Sequence, residues 1–138
     1  MTRGRPPQKG LDDAIPVARM RGAVLHFRQE EECAADFEIL SADQIIIVRV
    51  KRTRRLHCSI QEIKEQFSEP ILRLRSLPAS AFLYRELWVW SQYGTWRFFR
   101  LLDTGIVEID RDGRQLVVAV PGQGVLGSFR RAISFKIA

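Results

Sequence analysis

Residues 35–55 read ADFEILSADQIIIVRVKRTRR, and the alternation within them decides the fold. Side chains on a strand point to opposite sides in turn, so residues 36–40 place Asp36, Glu38 and Leu40 on one face and Phe37 and Ile39 on the other. Ser41, Ala42, Asp43 and Gln44 have the composition of a turn. Residues 45–52 then form a second strand, with Ile45, Ile47, Arg49 and Lys51 on one face and Ile46, Val48, Val50 and Arg52 on the other. Both faces are apolar at its start, as expected of a central strand covered on two sides, which points to an α/β fold.

Working upstream, residues 22–27 are rich in Val, Leu and Phe and read as a strand that runs into an acidic turn of Gln29, Glu30, Glu31 and Glu32. Residues 11–20 form a short helix around Leu11, Ile15, Ala18 and Met20, interrupted by Pro16. Residues 1–10, with Arg3, Arg5, Lys9 and little to bury, form a flexible basic tail. The expected organisation is therefore this tail followed by a single domain over residues 11–138.

Downstream, Ser59-Ile60-Gln61-Glu62 is a capping box, in which the Ser59 hydroxyl receives an exposed amide of the first turn. Ile60, Ile63, Phe67, Ile71 and Leu74 then recur three or four residues apart and form one apolar stripe that packs on a sheet. Pro70 either kinks this helix or restarts it at Glu69-Pro70, because proline fits a first turn but not an interior. Residues 87–90 and 96–102 are aromatic strands joined by a turn at Gly94, a hairpin that buries one aromatic layer under the helix. Residues 105–110 and 115–120 flank the Asp112-Gly113 turn of a second hairpin. For residues 128–138 helix and strand readings balance.

At 138 residues and 46% hydrophobic, the chain is long enough to bury a substantial core as one domain. Its 22 Lys and Arg outnumber its 16 Asp and Glu, a net charge of +6 that favours polyanionic partners, nucleic acid first among them. Two cysteines, Cys33 and Cys58, cannot build a disulfide framework, so a reducing cytoplasm is the expected compartment. The apolar runs at residues 45–48 and 116–120 are far too short to span a bilayer, which argues against a membrane protein. His57-Cys58, His26 and Cys33 show no zinc spacing, and no phosphate-cradling glycine loop is present.

The densest cationic cluster is Arg49, Lys51, Arg52, Arg54 and Arg55, at the end of the second strand of the quoted stretch. Arginine supplies a planar fork and lysine a point charge, so this strand end is the expected phosphate-contacting edge. The same charges would also serve simply to keep a strand end solvated.

The order of parts, with Ala35-Asp36 opening one strand and Arg49-Val50-Lys51 ending the next before an amphipathic helix, resembles the PD-(D/E)XK nuclease core. That superfamily includes restriction endonucleases and Holliday junction resolvases, and the resemblance covers roughly residues 22–102. It implies a restriction-endonuclease-like mixed central sheet flanked by helices, with C-terminal β-hairpin additions. It also implies that Asp36 and Lys51 are catalytic, Asp36 holding a magnesium ion and Lys51 stabilising charge on the reacting phosphate. The acidic residue of the motif, two before the lysine, is here Arg49. The resemblance allows a displaced carboxylate, with Glu38 as a second metal ligand or Glu62 or Glu65 on the helix in its place, and an accessory glutamine at Gln61 or Gln66.

Three functional readings follow. The first is a nuclease-like protein that acts on DNA with magnesium and grips phosphates through Arg49, Arg52, Arg54 and Arg55. In the second, Arg49 pairs with Asp36 in place of a metal, leaving a nucleic-acid-binding module that does not cleave. In the third, the aromatic hairpin forms a homodimer interface.

Overall fold

A computed structural model describes residues 8–27, 33–78 and 80–116. The elements run in the order α1 (Gln8–Arg19), β1 (Ala23–His26), β2 (Phe37–Leu40), β3 (Ile45–Thr53), α2 (Ile60–Gln66), α3 (Ser68–Arg75), β4 (Leu83–Ser91), β5 (Trp96–Leu101) and β6 (Ile106–Ile109). The six strands form one mixed sheet in sequence order. Neighbours are antiparallel except β3 and β4, which are parallel and therefore need the crossover that α2 and α3 provide.

The register of the central pair sets the two cores. Ile46, Val48 and Val50 lie on one face with Phe37, Ile39, Trp88, Trp90 and Phe98, under Leu11, Ala14, Ile15, Val17 and Ala18 of α1. Ile47, Leu87, Val89, Phe99 and Leu101 lie on the other, under Ile63, Phe67, Ile71 and Leu74 of α2 and α3. Thus β3 and β4 are covered on both sides, as the apolar run at residues 45–48 requires.

The aromatic layer is buried under α1 and not under the helix that begins at Ser59. Val50 pairs with Trp88, and Trp88 pairs with Phe98, so the tryptophans share the face of Val50 and not that of Lys51. Edge-on contacts at 5.6 Å between Phe37 and Trp88 and 5.0 Å between Trp88 and Phe98 knit that layer together.

Helix α1 begins at Gln8, three residues before the start expected from its apolar spacing. The tail expected over residues 1–10 therefore ends sooner: Gly10 is a buried helical residue against Trp90, and residues 1–7 lie outside the described residues. A Cβ at Gly10 would stand 2.4 Å from Trp90 Nε1, a contact only glycine avoids. Pro16 is carried inside α1 on its exposed side.

The second helical segment breaks at Phe67, which adopts φ −113° and ψ 34°, and restarts at Ser68. Pro70 thereby falls in the first turn of α3, where its missing N–H costs nothing, one residue from the restart expected at Glu69. Ser59 caps α2 by accepting the Glu62 amide at 3.1 Å. The β4–β5 hairpin turns at Gly94 with φ 81°, as expected. The second hairpin is seen from β6 to a bridge between Ile109 and Gln115, and the rest of its return strand, residues 117–120, is outside the described residues. So are the acidic turn at residues 29–32 and the stretch 128–138.

Among the described residues, no helix is long and apolar enough to cross a membrane.

Candidate nucleic-acid interface

Asp36 sits immediately before β2 and is 1% exposed. Its amide donates to the Val48 carbonyl at 2.8 Å, extending the β2–β3 pairing and setting Asp36 opposite Arg49. Its carboxylate accepts the Val50 amide on Oδ2 at 2.7 Å and Arg49 Nη1 on Oδ1 at 3.3 Å. A carboxylate so buried holds its charge only with such donors, and Arg49 is the fixed cation beside it.

Lys51 follows two residues along the same face of β3 and is half-buried. Burial lowers its pKa, and Arg49 and Arg73 lower it further, against the raising influence of Asp36 and Glu69, so it is held below the ordinary lysine range. Asp36 and Lys51 thus share one face of the β2–β3 pair, and the Asp36 charge acts on the ammonium group. The helical carboxylate near it is Glu69 of α3, and neither Glu62 nor Glu65 takes that place. Those two line a separate open cleft beside Arg55, Cys58 and Gln66. Glu38 is half-buried opposite Ile47. Among the described residues no three His, Cys, Asp or Glu side chains come together. A buried aspartate flanked by Arg49 and Lys51 is a poor match for the several oxygen ligands a magnesium ion takes.

Beyond Lys51 the chain presents Arg52, Arg54 and Arg55, all exposed. The segment that carries them is braced by a local turn, by α2 and by β5. The Thr53 hydroxyl receives the Arg55 amide at 3.2 Å and Gln66 Nε2 at 2.8 Å. Arg97 of β5 donates through Nη1 to the carbonyls of Leu56 and Cys58 at 2.8 and 2.7 Å. Arg97 is itself held by Glu108 of β6 through Nε at 3.0 Å and Nη2 at 2.7 Å, and that hydrogen bond is the main reason its pKa is raised. The side chain of Arg52 reaches Gln92 Oε1 at 3.1 Å and lies over the Trp90 ring at 5.6 Å, so it is partly ordered before any ligand arrives.

Because Arg52 pairs with Trp90 and Thr53 with Ser91, the β4–β5 turn stands at the same end of the sheet as this rim. Of the hairpin aromatics, Trp88, Trp90, Phe98 and Phe99 are buried and belong to the core. Tyr93, at the tip, is 83% exposed, and Trp96 is half-buried.

Read from sequence, Arg97 and Arg100 stand beside hairpin aromatics that could stack unpaired bases; the structure instead turns Arg97 onto Glu108 and the Leu56 and Cys58 carbonyls, and that bracing role, with Glu108, Glu69 and Arg73, is not apparent from sequence. Arg97 and Glu108 lie two residues off direct register on neighbouring strands, diagonal neighbours on one face, a pairing that only the β5–β6 alignment reveals. Glu69 and Arg73 are four apart on α3, but the break at Phe67 resets the helix phase and hides which face they share.

No protein-family model matches the chain, and comparison with curated proteins finds no significant match.

Proposed function

We propose that this protein binds nucleic acid through the rim of Arg52, Arg54 and Arg55 and does not cleave it. The observation that carries this reading is the Arg49–Asp36 ion pair, which puts a guanidinium where the nuclease motif has its second carboxylate. The order of elements from α1 to β4 and the approach of Lys51 to Asp36 support a restriction-endonuclease-like ancestry for the sheet. On that scaffold Asp36 and Arg49 anchor the start of β2 to β3, Lys51 adds charge beneath the rim, and the exposed arginines meet phosphates. The exposed Tyr93, next in the chain to the Gln92 that Arg52 contacts, offers a stacking surface for an unpaired base, which favours single-stranded over duplex substrates.

Incubation with labelled single-stranded and duplex DNA and with RNA, in magnesium or in chelator, tests this reading. The expected result is salt-sensitive binding that is indifferent to magnesium, strongest for single strands, with every strand left intact. Magnesium-dependent cutting that disappears in Asp36→Asn and Lys51→Ala would restore the enzymatic reading.

A further inference from the structure

At the end of the sheet opposite the rim, and on its α1 face, lies a second concentration of positive charge. Glu86 is fully buried, and its carboxylate is shared by two guanidiniums whose side chains are only 8% and 9% exposed, those of Arg21 and Arg100. Arg21 forks onto both oxygens at 2.8 and 3.0 Å, while Arg100 sends Nη2 and Nε to the same oxygen at 2.9 and 3.3 Å. The face of Tyr84 lies 4.4 Å from the Arg100 guanidinium carbon. One carboxylate thus answers two nearly buried cations, and the excess charge sits in a medium that screens it weakly.

That excess borders a cleft of about 470 Å3, lined by Arg21 and Arg100 together with Arg114, Ser41 and Gln44. The turn after β6 comes close to the two guanidiniums at Gly113, which has φ 87°. A Cβ there would stand 2.5 Å from Arg21 Nη2 and 3.2 Å from Arg100 Nη2. Glycine is therefore what allows backbone, and not a side chain, to lie over the cations. Asp112 is the acidic residue that lines the cleft, and it is exposed.

We propose that this cleft binds a phosphate monoester, with Arg21, Arg100 and Arg114 as its cationic wall and Ser41 and Gln44 as neutral donors. A monoester carries close to two negative charges near neutral pH and offers three acceptor oxygens, which matches convergent arginines better than a singly charged carboxylate does. The volume falls within the range of small-molecule pockets, so the ester group can be of nucleotide size. The site is independent of the rim: from Ile46, which lines it, to Arg52 the strand advances roughly 20 Å at the usual rise.

Calorimetric titration of the full chain with inorganic phosphate, adenosine monophosphate and adenosine tests the assignment. The two phosphates bind and adenosine does not. Because Arg114 and Asp112 take no part in the Glu86 cluster, their variants report on the cleft without dismantling it. Arg114→Ala weakens adenosine monophosphate roughly three- to fivefold, and Asp112→Asn tightens it roughly twofold, as exposed charges of either sign near a ligand do. A variant lacking Arg52, Arg54 and Arg55 keeps this binding. In that rim variant, preference for a 5′-phosphorylated over a 5′-hydroxyl oligonucleotide identifies a strand end as the source of the phosphate, and no preference identifies a free nucleotide. Failure of both phosphates to bind at millimolar concentration, affinities unmoved by both cleft variants, or loss of binding in the rim variant would each overturn the proposal.

Discussion

Replacing Glu86 by glutamine keeps the shape of the side chain and removes only its charge, so it isolates the electrostatic worth of the buried cluster. The carboxylate receives donors from Arg21 Nη1 and Nη2, Arg100 Nε and Nη2, and Trp88 Nε1. Glutamine retains one oxygen and turns an amide NH2 toward guanidiniums, leaving two buried cations without a counter-charge. Breaking a buried pair in this way costs about 3–5 kcal/mol, against a total stability of about 5–15 kcal/mol for a domain. At the entropy of unfolding usual for a chain of this length, that corresponds to a fall in Tm of roughly 10–15 °C. Urea denaturation is the appropriate assay, because guanidinium chloride is itself a salt and would add screening of the chain's exposed charges to the effect being measured. Removing all three charges with Arg21→Met, Glu86→Met and Arg100→Met should recover most of the loss, since the desolvation of the cations disappears with them. The effect also has a pH signature. Burial opposes ionisation of Glu86, but the hydrogen bonds from Arg21, the charges of Arg21 and Arg100 and the Trp88 N–H outweigh it and hold its pKa below the ordinary carboxylate value. A depressed carboxylate contributes fully above the unfolded pKa of about 4.3 and loses that contribution as pH falls through the folded value. The gap between the native chain and Glu86→Gln should therefore be constant near neutrality and close in acid below the unfolded pKa. A Glu86→Gln cost under about 1 kcal/mol, or a gap that widens in acid, would refute the electrostatic account.

Other perturbations follow from the same contacts. Asp36→Ala strands the buried Val50 amide and removes the counter-charge of Arg49, and should cost about 2–4 kcal/mol by urea denaturation, whereas Asp36→Asn, which can still accept the amide, should cost less. Gly10→Ala should lose about 1–3 kcal/mol despite the better helix propensity of alanine, because its Cβ meets the Trp90 ring, and near-ultraviolet circular dichroism would register the displaced tryptophan. Lys51→Met should leave stability unchanged or raise it by up to about 1 kcal/mol, because the charged form is already disfavoured by burial and by Arg49, while weakening nucleic-acid binding.

The sheet was legible because its strands differ in chemistry. The alternation from Asp36 to Leu40, the two-sided apolar start at Ile45 and the Gly94 turn each have one straightforward physical reading, and the observed β2, β3 and β5 agree with them within a residue, whereas β4 begins at Leu83, four residues before the aromatic run expected at residues 87–90, because Tyr84, Arg85 and Glu86 carry too much polarity to read as strand. The start of α1 was missed because Gly10 and the charges around it look like tail, and the value of glycine there depends on a tryptophan eighty residues away in sequence. Within the site, the Asp36–Arg49 pairing was one of two sequence readings, since residues opposite one another on adjacent strands share a face. The brace through Arg97 and Glu108, and the cluster around Glu86, were not legible at all. Arg21 lies in the turn between α1 and β1, Glu86 in β4 and Arg100 in β5, and no local pattern marks a buried carboxylate within an aromatic strand; only the assembled sheet brings its partners to it.

The most direct test of phosphate recognition by the rim is the salt dependence of affinity for a single-stranded oligonucleotide, measured for the native chain and for a variant carrying Arg52→Ala, Arg54→Ala and Arg55→Ala. Each phosphate contact on a single strand contributes roughly 0.7 to the slope of log affinity against log salt, so loss of three should make the slope shallower by about 2. Equal slopes and equal affinities in the two proteins would show that these arginines do not meet phosphate.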